Sequence, residues 1–245
     1  MCTVTLVPRR EGLRLLTNRD ESRRRRPATP PGVRDAPDAS RRAILPTDAD
    51  AGGTWVAVNT AGLVMTLLNA NPPGVEPTRR PRGPRSRGEI ITDRLGCESV
   101  DALESVLAEL DAKAYGPFRL VAADAGRTLV AAGDGDTLTL ETTPLGDRPR
   151  MWTSSGLGDP LVEPPRRELF DASFGKNPEQ WPDEQDAFHR HHWEDRPELS
   201  VCMARADART VSLTAVEVSA GAVRMTYHAG PPCESAEDFV LELPR

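Results

Sequence analysis

An α+β domain, with antiparallel sheets and helices packed outside them, is the fold class this sequence predicts, on two observations. Short β-branched or apolar runs come in blocks separated by stretches of helical periodicity, giving the order strands, helices, strands, helices, strands. Turn signals rich in Gly, Pro and Asn join the strand runs, so neighbours read as hairpins and a meander. No internal repeat is evident, and 245 residues are expected to form a single domain spanning 1–245.

Taken in order, Cys2 to Val7 and Leu13 to Thr17 form a hairpin around Pro8-Arg9-Arg10-Glu11-Gly12. An antiparallel pair brings the exit of the second strand beside the start of the first, so Asn18-Arg19-Asp20-Glu21 is expected next to Cys2. Ser22 to Asp50 is rich in Arg, Pro and Asp and reads as a long surface loop that folds over the site. Thr54 to Val58 and Leu63 to Asn69 form a second hairpin around Asn59-Thr60-Ala61-Gly62. Asn71 to Arg87 reads as a Pro/Arg loop, either solvated or greeting an anionic substrate.

Ser86 and Glu89 are spaced as a capping box before Ile90 to Leu95, and Val100, Leu103, Val106, Leu107 and Leu110 recur at helical intervals over Ser99 to Ala112. Phe118 to Ala123, Thr128 to Ala132, Thr137 to Thr142 and Arg150 to Thr153 follow as strands. Arg166 to Phe170 and Glu184 to Trp193 are helical, and Val201 to Ala204, Thr210 to Ser219 and Val223 to His228 return to strand.

Composition narrows the function classes. A formal charge of −6 argues against nucleic-acid binding, which runs on clustered cations. No apolar run reaches the ~20 residues of a membrane-spanning helix. Cations follow the first apolar stretch, where a secretory signal would carry them before it, so the N-terminus is expected to stay in place apart from Met1. Cys2, Cys97, Cys202 and Cys233 form no CxxC pair, which argues against a zinc site or disulfide framework and for a reducing, cytoplasmic setting. Buried, inert thiols are the default for the last three.

Cys2 carries the chemistry. With Met1 trimmed, it would hold a thiol and a free α-amine on one carbon, groups that titrate near ~8.5 and ~7.7–8.0 in free form. An α-amine can act as the base for its own side chain. Alone, Cys2 reads equally as a small buried hydrophobe at a strand start, and Asn18-Arg19-Asp20-Glu21 as a turn holding an ion pair.

Together, Met1-Cys2, Thr17-Asn18-Arg19-Asp20-Glu21, Ala51-Gly52-Gly53-Thr54-Trp55, Asn59-Thr60-Ala61-Gly62-Leu63 to Asn69, and Ser86-Arg87-Gly88 resemble the NRDE family, also called the transport and Golgi organisation family. That resemblance implies an N-terminal nucleophile hydrolase-like fold, a four-layer αββα sandwich of two antiparallel sheets between helices. It also brings in haem trafficking and lipid or acyl-CoA metabolism as roles proposed for eukaryotic relatives. A remoter similarity to the cholylglycine hydrolases and penicillin V acylases implies Cys2 as nucleophile, Arg19 beside its thiol, Asp20 holding its amine and Asn69 as oxyanion donor. Ser154 stands where those relatives carry Asn, and their Arg and Asp are spaced differently from the adjacent Arg19 and Asp20.

Asn18, Glu21, Trp55 and Trp152 complete the expected site as substrate-binding residues, although large aromatics in strands are most often core. His189, His191 and His192 read as part of a solvated, charged helix end, and no metal or cofactor is expected. The leading functional expectation is an amidohydrolase cleaving a non-peptide carbon–nitrogen bond of a small molecule. The alternative is a noncatalytic carrier of haem or an acyl-lipid in the same pocket.

Overall fold

A computed structural model of the chain describes residues 2–71 and 83–245. Cys2–Arg9 (β1) and Gly12–Ser22 (β2) form the first hairpin, Thr29–Asp35 (β3) and Arg42–Thr47 (β4) the second, and Val56–Asn59 (β5) and Val64–Asn69 (β6) the third. Helices Glu89–Thr92 (α1) and Val100–Leu107 (α2) precede Phe118–Ala123 (β7), Arg127–Gly133 (β8), Leu138–Pro144 (β9) and Arg150–Ser154 (β10). Asp159–Ser173 (α3) and Trp181–Arg190 (α4) lead into Ala208–Val218 (β11), Ala222–His228 (β12) and Asp238–Pro244 (β13).

Pairing is antiparallel throughout two sheets, ordered β10-β1-β2-β11-β12-β13 and β3-β4-β5-β6-β7-β8-β9. Side-chain alternation along each strand gives every sheet an inner and an outer face. Val4, Leu6 and Leu15 of the first sheet pack against Ile44, Val58, Val64 and Val121 of the second, forming the core between sheets. Met65, Leu120 and Leu129, on the reverse of the seven-stranded sheet, pack against Ile90, Ile91, Leu103 and Leu107 of α1 and α2. Met151 of the six-stranded sheet packs against Phe170 and Phe188 of α3 and α4. These three cores stack the chain as helices, sheet, sheet, helices, the α+β sandwich expected.

Several elements depart from the sequence reading. Ser22 to Asp50 is not one long loop: β3 and β4 extend the seven-stranded sheet, with Ala43, Ile44 and Leu45 buried. That short apolar run is flanked by Arg41-Arg42 and Pro46, which hid its strand character. Val201 to Ala204 is not a strand; Ala204 makes only an isolated bridge to Arg209. β13 was not anticipated, because its buried and exposed positions belong to an edge strand with acidic neighbours. Half of the Ser86–Glu89 capping box forms: Glu89 Oε1 accepts the Ser86 amide at 3.1 Å, while no side chain caps the helix N-terminus at Gly88. The Asn71 to Arg87 loop falls largely outside the described residues.

Helix α3 is longer than its periodicity suggested. Pro164 and Pro165 lie inside it and interrupt the pattern, but Val162, Arg166 and Phe170, four residues apart, remain on one buried face. Cys202 and Cys233 form a disulfide, correcting the expectation of inert thiols. The argument from unpaired cysteines to a reducing compartment loses that support. No helix among the described residues is long and apolar enough to cross a membrane.

Candidate functional site

The register of three strands builds the site. Cys2 is the cross-strand partner of Ser154 on β10 and of Arg19 on β2, and Arg19 in turn faces Ser212 on β11. Directly opposed residues share a face, so Ser154, Cys2 and Arg19 form a row on the inner side of the six-stranded sheet. Ser154 Oγ accepts the Cys2 backbone N–H at 3.3 Å. The row lies at the mouth of the sandwich, beside a cleft of about 240 Å³ lined by Cys2, Arg19, Asp20, Glu21, Trp55 and Asn69 together with Asp48 and the Ser86-Arg87-Gly88 turn.

Glycines make the far wall. A Cβ on Gly53 would sit 2.8 Å from the Gly88 Cα, and one on Gly88 would sit 2.8 Å from the Thr54 amide nitrogen. The two backbones touch at van der Waals distance, a contact no larger residue allows. This joins the Gly52-Gly53-Thr54-Trp55 and Ser86-Arg87-Gly88 stretches at one place, although they lie far apart in sequence. At the exit of β6, Asn69 lines the same cleft and is half-buried.

Arg19 is only 5% exposed, and its hydrogen bonds go to carboxylates. Nη2 donates to Asp48 Oδ2 at 2.6 Å and to Glu21 Oε2 at 3.4 Å, and the guanidinium lies 4.3 Å from the centroid of the Trp55 ring. A cation over an indole face, desolvated and paired, is held firmly. Asp48 also accepts the amides of Asp50 and Ala51 at 3.0 Å, and Arg25 at 2.9 Å. Against partial burial, Arg25, the Ala51 amide and Arg19 hold the Asp48 carboxyl below its usual range. Trp55 Nε1 is buried without a hydrogen-bond partner among the described residues.

Burial pushes the Cys2 thiol up, and Asp20 adds to that against the pull of the N-terminal amine and, more weakly, of Arg19. Asp20 follows Arg19 along β2 and turns toward the helical side, where Thr210 Oγ1 donates to its Oδ1 at 2.6 Å. Burial pushes the Asp20 carboxyl up as well, opposed first by Arg166. A buried thiol and a buried acid therefore share the strand tip with arginines on both faces of the sheet.

Two predicted site residues fall elsewhere. Asn18 is completely buried on the outer face: its Nδ2 donates to the carbonyls of His189 and Val201, both at 2.9 Å. Its assignment to substrate binding is corrected to a structural pin between β2 and the end of α4, because alternation along the strand turns it away from Arg19. Trp152 faces Val4 across β1 and packs on the core between sheets without lining the cleft. Its role as a pocket wall is likewise corrected.

His189 also leaves its expected place on a solvated helix face, being fully buried. Because both Asn18 Nδ2 protons go to carbonyls, Asn18 Oδ1 accepts from His189 Nδ1 at 3.0 Å. Gln185 donates to Thr5 Oγ1 at 2.8 Å, so the Thr5 hydroxyl donates to His189 Nε2 at 2.7 Å. The ring is neutral and protonated on Nδ1. Burial, with Arg14 and Arg166 nearby, drives its pKa down to about 3.

Asp48 was missed in the sequence, although an acid four residues before the double glycine is the signal that could have marked it. Arg166, 1% exposed beneath the sheet, gave no signal at all in its proline-rich surroundings. No group of three or more metal-ligating side chains occurs among the described residues.

Comparison with known proteins relates the chain to one family and to solved structures of like fold. The family described as Transport and Golgi organisation 2 matches residues 1–146. The chain is 33% identical over 132 residues to the Bos taurus Transport and Golgi organization protein 2 homolog, covering 51% of this chain and 41% of that protein. It therefore spans less than half the length of that relative. Among solved structures, a C2A variant of conjugated bile acid hydrolase from Clostridium perfringens matches with a TM-score of 0.55 and 12% identity, covering 99% of this chain and 92% of the other. The Caenorhabditis elegans N-acylethanolamine-hydrolyzing acid amidase ortholog matches with a TM-score of 0.53 and 13% identity, over 87% and 92% of the two chains. At such identities the likeness shows the fold, that of the N-terminal nucleophile hydrolases.

Proposed function

The chain belongs to the Transport and Golgi organisation 2 family, and on that premise we propose that it is an amidohydrolase of the N-terminal nucleophile type, cleaving a non-peptide carbon–nitrogen bond of a small molecule through Cys2. The observation that carries this reading is the row Ser154, Cys2 and Arg19 across three strands at the edge of a cleft. The two solved relatives, named as hydrolases acting on conjugated bile acid and on N-acylethanolamine, support the same reaction class.

With Met1 removed, the Cys2 thiol passes its proton to the α-amine as sulfur bonds to the amide carbonyl carbon. Asn69 donates to the oxyanion that forms, a contribution typically on the order of 3–4 kcal/mol. The ammonium then protonates the leaving nitrogen as the C–N bond breaks, leaving a thioester on Cys2. Water adds to that thioester, losing a proton to the amine, and the acid departs with the thiol restored. In this scheme Ser154 and Asp20 fix the amine, and Arg19 favours the thiolate over the thiol.

A carrier reading, with haem or an acyl-lipid held in the cleft and no turnover, draws support from two observations. Arg19 spends its hydrogen bonds on Asp48 and Glu21, and burial pushes the Cys2 thiol up. A panel of N-acyl amides incubated with the wild type and with Cys2→Ser separates the two readings. Product formed by the wild type and lost in Cys2→Ser supports hydrolysis. No product, with tight haem or acyl-CoA binding unchanged in Cys2→Ala, replaces it with the carrier.

A further inference from the structure

Beneath the six-stranded sheet, on the side away from the cleft, one guanidinium holds together four segments that meet at the strand tip. Arg166 Nη1 donates to Thr3 Oγ1 and Thr153 Oγ1, both at 2.8 Å. Thr3 follows Cys2 in β1 and Thr153 precedes Ser154 in β10, and their hydroxyls lie 3.2 Å apart. Thr153 Oγ1 also donates to the Cys2 carbonyl at 3.4 Å. From the other edge of the guanidinium, Nε donates to the Leu199 carbonyl at 2.9 Å and Nη2 to the Ser200 carbonyl at 2.6 Å. Every one of these acceptors is neutral.

A fully buried arginine with only neutral acceptors still needs a counter-charge, since an uncompensated buried cation is costly. Burial pushes the guanidinium down, and the group whose charge most opposes this is Asp20, ahead of Cys2 and Asp159. We propose that Arg166 is a positioning residue of the cleft: it clamps the strands that carry Cys2 and Ser154 from behind and serves as the counter-charge of Asp20. It touches no reacting atom and acts through those groups. The inference rests on the amidohydrolase reading for its purpose, but not for its measurement.

The charged and titratable groups around this tip come from several elements. Arg19, Asp20 and Glu21 of β2 act on Cys2; Arg205, before β11, acts on Asp20 beside Arg166; Arg14 and Arg166 both act on His189 of α4. Removing Arg166 subtracts the largest of the charges that oppose burial at Asp20, so the Asp20 carboxyl moves further up and its effect on Cys2 changes with it.

The test is the pH dependence of Cys2 alkylation by iodoacetamide, followed by mass spectrometry in the full chain, for wild type, Arg166→Gln and Arg166→Lys. The expected result is a midpoint moved by roughly one pH unit in Arg166→Gln, with more than half of the shift restored by lysine, as a charge effect requires. An unchanged midpoint in folded Arg166→Gln overturns the proposal, as does an equal shift in both variants, which would mark packing alone. If Arg166→Gln does not fold, the double variant Arg166→Gln with Asp20→Asn is read instead: recovered folding, with no unpaired buried acid left, supports the proposal, and continued failure to fold overturns it. Turnover on the amide panel is scored separately. A displaced midpoint without turnover removes the hydrolase reading and keeps the role of Arg166; turnover with an unchanged midpoint does the reverse.

Discussion

Cys2 and Arg19 are cross-strand partners, and the guanidinium of Arg19 bonds Asp48 at 2.6 Å and sits over the Trp55 ring, 4.3 Å from its centroid. Asp48 therefore competes with the thiolate for the cation. Replacing Asp48 by Asn keeps an acceptor for the Ala51 amide while removing the charge. Alkylation of Cys2 at neutral pH should then accelerate roughly three- to tenfold, as expected when a cation is freed beside a thiol. A rate equal to wild type would mean that Arg19 does not reach the sulfur even when released.

Trp55 is the platform for Arg19 and packs at 6.4 Å, tilted, against Tyr227 in the core between sheets. Trp55→Ala should cost about 3–5 kcal/mol in urea unfolding, the range for deleting a large buried aromatic. A loss below about 1 kcal/mol would place the ring outside the core.

How much of this was legible in the sequence depends on the range of the signal. The β1–β2 hairpin, and with it the approach of Arg19 to Cys2, followed from turn chemistry and alternation. The same alternation, applied strictly, would also have separated Asn18 from Arg19, but motif proximity grouped them. Asn59 was readable as a turn residue, and it does hold the Ala61 and Leu63 amides at 3.1 Å. Long-range partners were not readable: neither the Cys202–Cys233 disulfide nor the clamp by Arg166 leaves a periodic or local mark. The Ala43 to Leu45 strand was masked by arginine and proline on either side, where composition outweighed a short buried run.

Asn18 should behave as a structural residue. Asn18→Ala strands the His189 and Val201 carbonyls and the His189 Nδ1 proton in a dry interior, a loss of roughly 2–4 kcal/mol for several unmet buried groups. Thermal unfolding measures it, while Cys2 alkylation at a temperature where the variant is folded should match wild type. Near-native stability with altered ligand binding would return Asn18 to the cleft.

His189 makes stability depend on pH. Its folded pKa of about 3 lies below the unfolded value near 6.5, so the unfolded chain binds the extra proton between them. Stability from this group is complete above about pH 6.5 and declines as pH falls toward 3, by on the order of 4–5 kcal/mol across the window. His189→Gln should lower stability at pH 7 and flatten the slope between pH 7 and 4 in urea titrations. Parallel slopes for both proteins would show that the ring is protonated in the fold.

The disulfide joins the segment after α4 to the β12–β13 turn across 31 residues. Cys233→Ser should cost about 3–4 kcal/mol, the loop-entropy value for a closure of that length. Equal unfolding midpoints with and without reductant would contradict the linkage.

The decisive measurement is the mass of the N-terminal peptide ending at Arg9, after incubation with an acylating amide mimic and digestion at acid pH. Chemistry by a self-activated N-terminal cysteine predicts a peptide that begins at Cys2 and carries one acyl group on its sulfur, absent in Cys2→Ser. A peptide that retains Met1, or an unmodified Cys2 with the label elsewhere, would contradict it.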